Sequence, residues 1–212
     1  SATSRSSRPS RTPTPARRRS PSWAALADLW QPSGWATAWT PIVSEPRPAT
    51  SDPETRAYYA RNRAVYAWFA RYYDALTRPL RRLRREVVEA ADVPPGASVL
   101  DVATGTGAQA FAFASAAAEV IGVDLSEAML EVARRKHQPA HISFHLADAT
   151  ALPFPAERFD AACVSFALHE MPAAVRERVI REMVRVTRHG ATIVVVDYGL
   201  PANRIAAALA SR

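Results

Sequence analysis

The chain has 212 residues, 48% of them hydrophobic, enough for one domain with a real core and something beyond it. Its formal net charge of +7 is uneven: residues 1–50 hold seven arginines against Asp28 and Glu45, a net of +5, while residues 51–212 come to +2. No apolar run approaches the roughly 18 residues of a membrane helix, the lone Cys163 excludes an internal disulfide framework, and a nearly neutral folded part argues against a basic nucleic-acid face.

Residues 1–50 are rich in Ser, Arg, Pro and Thr, with no periodic apolar pattern before Trp23. They read as a disordered basic tail. Arg17-Arg18-Arg19 ahead of Trp23 to Trp30 has a faint twin-arginine flavour, but Asp28 interrupts the apolar stretch and no clear cleavage site follows. Lys136 is the only lysine against 26 arginines, which points to codon bias rather than to ligands.

Residues 51–95 read as a helical cap. Residues 53–91 read as helical, with apolar spacing over Arg56 to Phe69 and over Tyr72 to Ala90, and Pro79 can open a helix that runs through Leu80, Leu83, Val87 and Val88. Arg81, Arg82, Arg84 and Arg85 read as a solvated face. The aromatic residues Tyr58, Tyr59, Tyr66, Trp68, Phe69, Tyr72 and Tyr73 have two readings: packing between helices, or a lid that supplies an apolar pocket.

Pro94-Pro95-Gly96 ends this pattern, and an alternation begins that fills residues 96–212. Strands are expected at Ser98 to Val102, Glu119 to Val123, Ile142 to Leu146, Phe159 to Phe166 and Thr192 to Val196. Helices are expected at Gly107 to Ala118, Ser126 to Lys136 and Pro172 to Thr187. Such alternation specifies an α/β fold, a Rossmann-like doubly wound parallel sheet.

The site-forming motif is Val99-Leu100-Asp101-Val102-Ala103-Thr104-Gly105-Thr106-Gly107: an apolar strand, a loop with two glycines, then a helix. Glycine lets a backbone turn tightly and approach a ligand where a Cβ would clash, and the helix start offers unpaired N–H groups. Alone this is ambiguous, since Gly105 to Ala110 also satisfies a dinucleotide pattern. Three carboxylates at strand ends add to it. Asp101 can face a cationic ligand, Asp124 can accept hydrogen bonds from both ribose hydroxyls, and Asp148 of Asp148-Ala149 can reach an adenine amino group. Open α/β sheets bind ligands at that end.

With Val120 to Ala128, Ala147 to Phe154, Arg158 to Asp160 and Arg185 to Val196, the ordered set resembles class I S-adenosylmethionine-dependent methyltransferases over residues 96–198. The likeness is to the branch of ubiquinone and menaquinone C-methyltransferases. It implies strand order 3-2-1-4-5 and S-adenosyl-L-methionine as cofactor. It also implies Asp101, Gly105 and Gly107 around the methionine part, with Ala103 in the place of a usual glycine. Asp124 would hold the ribose, Leu125 would lie beside the adenine, Asp148 and Ala149 would touch the ring, and Phe166 would lie near the amino-acid end. The family continues past strand five with a helix and two strands. The chain is therefore read as truncated, with strands six and seven missing and an exposed strand-five edge open to a homo-oligomer. A small apolar or aromatic acceptor and a cytoplasmic location are the further expectations.

His169 follows strand four on the substrate side and is the candidate to position or deprotonate a nucleophile. Glu170 is a weaker candidate. His141 and His145 share a strand face but have no third ligand, so no metal is expected. The alternatives are a nicotinamide-dependent oxidoreductase using the same loop, although no Tyr-x-x-x-Lys pair is present, and a non-catalytic cofactor-binding chain.

Overall fold

Pro94-Pro95-Gly96 delivers the chain into β1 (Ser98–Val102), a strand buried at every residue. The computed structural model describes residues 52–137 and 139–198. The readings of the basic tail at 1–50, and of the stretch after Tyr198, lie outside the described residues. Ahead of β1 stand α1 (Pro53–Thr77), a 3-10 turn (Arg78–Leu80) and α2 (Arg81–Ala91). After β1 come α3 (Ala108–Phe113), β2 (Glu119–Asp124), α4 (Glu127–Arg135), β3 (Ile142–Leu146), β4 (Phe159–Ser165), a 3-10 turn (Leu168–Glu170), α5 (Ala173–Val186) and β5 (Thr187–Val196).

The five strands form one parallel sheet in the order β3-β2-β1-β4-β5, as the alternation and the resemblance led one to expect. Side chains alternate across each strand, so successive residues feed opposite faces. Leu100, Val102, Ile121, Val123, Ala162 and Val164 pack with Val175, Val179, Met183 and Val186 of α5 and with Tyr58 and Tyr59 of α1. Val99, Val120, Ala161 and Cys163 pack on the other face with Val87 and Ala91 of α2, Phe113 of α3, and Leu130 and Ala133 of α4. Burial on both faces is why the strands read as continuous apolar runs.

α1 is one unbroken helix of 25 residues, running through Ala70-Arg71 between the two apolar stretches. Asp52 caps it by accepting from the Thr55 amide at 2.8 Å and the Thr55 hydroxyl at 2.6 Å, and Pro53 occupies the first turn. The interruption falls at Pro79, where the sequence opens a helix as expected: the missing N–H is tolerated at a helix start, and α2 follows with Leu83, Val87 and Val88. Two boundaries are corrected. α3 stops at Phe113 rather than Ala118, and β5 begins at Thr187 rather than Thr192. Its first residue pairs with Phe159, and a bulge holding Arg188-His189-Gly190 precedes the pairing of Thr192 with Ala161. Among the described residues β5 has a strand on one side only.

Candidate functional site

The loops after β1, β2, β3 and β4 converge at the carboxyl end of the sheet, and α1 lies across them. Between them is a cleft of about 610 Å³, its open mouth included. Three tethers hold the helix there. The Tyr59 hydroxyl donates to Asp148 Oδ2 at 2.7 Å, and the Tyr66 hydroxyl donates to the Glu170 carboxylate at 2.9 Å. Asp74 accepts from the Thr106 hydroxyl at 2.6 Å and pairs with Lys136 Nζ at 2.7 Å. Burial pushes the phenol of Tyr59 up to about 12 and raises those of Tyr58, Tyr66 and Tyr73, so all four remain protonated donors at neutral pH.

The glycine loop is shaped by left-handed backbone at Ala103 (φ 54°), Gly105 (φ 56°) and Gly107 (φ 79°). Gly105 turns its amide onto Asp124 Oδ2 at 2.8 Å. Gly107 opens α3, and a Cβ there would stand 2.6 Å from the Phe144 ring. Ala103 carries a Cβ in a conformation that costs such residues about 1 kcal/mol, a price the usual glycine avoids. Phe166 is a second strained residue (φ 56°), held by its amide donating to Val196 O at 2.7 Å. Strain of this kind collects at ligand sites.

Ala103, Gly105, Asp124, Leu125, Ala149 and Phe166 line the cleft. Asp101, Gly107, Asp148 and His169 stand behind or beside it. Asp101 is 1% exposed, accepts the Thr104 hydroxyl at 2.6 Å, and has its carboxyl pushed up to about 7 by burial. Its visible role is to hold the loop from beneath. Asp148 has both oxygens engaged, Oδ2 by Tyr59 and Oδ1 by the amide and hydroxyl of Thr150 at 2.8 Å each. Asp124 is half-buried at the cleft floor. Burial raises its carboxyl, opposed by the amides of Ser126 and Gly105.

His169 lies next to Glu170, which lines the cleft. Its Nδ1 is 2.6 Å from Asp197 Oδ1, its amide donates to Asp197 Oδ2 at 2.8 Å, and its ring meets Tyr198 edge-on at 4.9 Å. Its Nε2 lies 3.8 Å from Glu170 Oε1, so the ring stands between two carboxylates. Asp197 was not singled out by sequence reasoning, and nothing local distinguishes it: it reaches His169 only because β5 lies beside β4. Asn62 was missed for a similar reason. It lines the cleft one turn from both Tyr58 and Tyr66. Tyr58, Tyr66 and Tyr73 face the cleft, as the lid reading expects, whereas Trp68 and Tyr72 are 64% and 47% exposed. His141 and His145 turn to separate partners, Ala114 O and Ser143 Oγ.

A family model described as a methyltransferase domain matches residues 99–190, which run from β1 into β5. Over these residues the chain is similar to methyltransferase domains. A demethylmenaquinone methyltransferase of Renibacterium salmoninarum is 41% identical over 121 residues, 57% of this chain and 49% of that protein. One from a Mycobacterium species is 37% identical over 145 residues, 66% of this chain and 60% of that protein. The crystal structure of a putative methyltransferase from Bacillus halodurans superposes with a TM-score of 0.53 at 31% identity, covering 57% of this chain and 53% of that one. The chain thus spans about half to three fifths of the length of the curated relatives it matches. The matched segment contains the glycine loop and the strand-end carboxylates, while the tyrosine-bearing α1 lies before it.

Proposed function

We propose that the chain binds S-adenosyl-L-methionine in the cleft and transfers its methyl group to a small apolar or aromatic acceptor of quinone-like skeleton. The observation that carries this is Asp124, a half-buried carboxylate at the end of β2 that is fixed by the Gly105 and Ser126 amides and keeps acceptor capacity beyond them. A carboxylate bounded by apolar Leu125, Met129 and Ala149 fits a nucleoside: hydroxyls on one side, a flat base on the other. The names of the curated relatives support the quinone-like acceptor.

The bound cofactor supplies a methyl group on a positively charged sulfur, already reactive toward nucleophiles. The chain's own residues then have to align and shield. Asp124 holds the sugar, Leu125 and Ala149 flank the base, and the Ala103-to-Gly107 backbone and Phe166 bound the other end. Asp101 braces the loop from beneath, and Asp148 marks the base end. Tyr58, Tyr66 and Tyr73 exclude water from above. A phenolic or carbon acceptor must lose a proton, and His169 Nε2, oriented through Asp197, receives it.

Calorimetric titration of the full chain with S-adenosylhomocysteine tests the cofactor assignment, with a nicotinamide dinucleotide as the competing ligand. The expected result is binding of the former alone, weakened about 100-fold by Asp124→Ala, the loss of two charge-assisted hydrogen bonds. Indifference to the nucleoside would end the assignment. For the proton, His169→Gln is expected to lower turnover and flatten its rise with pH, and an unchanged pH profile removes His169 from the reaction.

A further inference from the structure

Among the described residues, one buried side-chain polar atom has no hydrogen-bond partner: Oδ1 of Asn62. Leaving such an atom unpaired is costly, and native proteins rarely do so without a reason. Asn62 is not in the loose part of the molecule. It sits in the middle of α1, flanked at i−4 and i+4 by Tyr58 and Tyr66, which line the same cleft. The cap tethers on either side of it, Tyr59 on Asp148 and Tyr66 on Glu170, fix the helix over the loops after β3 and β4. Asn62 thus lines a cleft that Glu170 and Met171 also line, on the helix that Tyr66 ties to Glu170.

We infer that Asn62 is a specificity-determining residue for the methyl acceptor, its side-chain carbonyl taking a hydrogen bond from a hydroxyl of the bound molecule. An orphaned carbonyl oxygen asks for a donor. A phenolic or enolic O–H supplies one, and a carbonyl or an ether oxygen at the same place does not. Sites built to pair a substrate hydroxyl reject analogues that lack it far more strongly than apolar pockets reject an added group, because the protein atom is then left buried and unpaired. The tyrosines around Asn62 are all held as O–H donors, and Tyr59 and Tyr66 are already committed to carboxylates. Glu170 in this cleft already takes the Tyr66 hydroxyl, whereas the Asn62 carbonyl is a buried acceptor with no donor at all.

The inference rests on reading the cleft as the site of methyl transfer, so the test separates the two. The full chain, saturated with S-adenosylhomocysteine, is titrated with 2-naphthol and with 2-methoxynaphthalene, and the same is done for Asn62→Leu. The unliganded thermal midpoint of each protein is recorded as well. The wild-type chain is expected to prefer the naphthol by about tenfold. Asn62→Leu is expected to lose that preference, to retain its affinity for S-adenosylhomocysteine, and to melt about 2–4 °C higher without ligand, because an unpaired polar atom has been replaced by apolar volume. A wild-type chain that binds both naphthalenes equally or neither, an Asn62→Leu chain that keeps the preference, or one that melts lower than wild type overturns the inference. Failure of the wild-type chain to bind S-adenosylhomocysteine is the separate result that removes the cofactor reading itself.

Discussion

Asp101 shows how far a buried carboxyl departs from its ordinary behaviour. Its carboxyl titrates near 7 rather than 3.8, because burial penalises the charged form more than the Thr104 hydroxyl and the Ala110 amide favour it. The folded chain therefore keeps this proton to higher pH than the unfolded chain does. Stability attributable to this group is full below about pH 4, falls as pH rises toward 7 by up to about 1.4 kcal/mol per pH unit, and is level above that. Asp101→Asn keeps the oxygen that accepts Thr104 and removes the titration. Urea midpoints between pH 5 and 8 are expected to be flatter with pH in the variant than in wild type. Gly107 is constrained in a different way, by a positive φ and by the Phe144 ring only 2.6 Å from where a Cβ would stand. Gly107→Ala is expected to cost about 2 kcal/mol or more in chemical denaturation, and the loss is expected with or without nucleoside. Both residues stand out in the sequence, Asp101 by its place at a strand end and Gly107 by its motif. What the sequence does not give is which way the Asp101 carboxyl turns, since a strand end offers two directions, one into the cleft and one beneath the loop, and only packing decides between them.

Among the elements, the strands were legible because each is a short apolar run bounded by a turn, and a parallel sheet buries both faces of such a run. α1 was less so. Its apolar residues follow no single stripe: Tyr58, Tyr59 and Ala70 are buried while Val65, Trp68, Tyr72 and Leu76 are between 47% and 64% exposed. Local periodicity thus reads as two apolar stretches, where tertiary tethers hold one helix across the cleft. The Asp74 tether is the most local of these, joining α1 to the glycine loop through Thr106 and to α4 through Lys136. Removing it with Asp74→Ala is expected to cost about 1 kcal/mol locally and to speed amide exchange in the last turns of α1 roughly fivefold. Exchange in β1 and β4 is expected to stay unchanged. A uniform acceleration across the sheet would instead mean that the tether supports the whole fold.

At the scale of the whole molecule, charge is distributed less evenly than its total suggests. The α1-to-α2 segment, residues 53–91, carries nine arginines against Glu54, Asp74, Glu86 and Glu89, a net of +5, so the remainder of residues 51–212 is at −3. This polarity was hidden in the near-neutral sum because the compensating carboxylates are spread over the rest of the domain. The candidate site has the same character. Its glycine loop and Asp124 were readable from spacing, whereas Asn62 and the His169–Asp197 pair depend on which elements become neighbours, and no window of sequence contains that information. A ligand that engages all of these loops stabilises the assembled state alone. S-adenosylhomocysteine at about 100 times its dissociation constant is expected to add about 2.7 kcal/mol and to raise the thermal midpoint by about 5–10 °C. Scanning calorimetry of the full chain with and without it measures this directly.

The bond between Tyr59 and Asp148 gives nucleoside entry a toll. Oδ1 of Asp148 already accepts twice from Thr150, so under the proposed function an adenine amino group reaching Asp148 would share Oδ2 with the Tyr59 hydroxyl. A base that drew that oxygen away from the tyrosine would loosen the first turns of α1, and a tightened phenol bond would weaken the hold on the base. Arrival and departure of the nucleoside would then keep time with a hinge in the cap, and the exchange rate would be written into the strength of a single phenol–carboxylate bond.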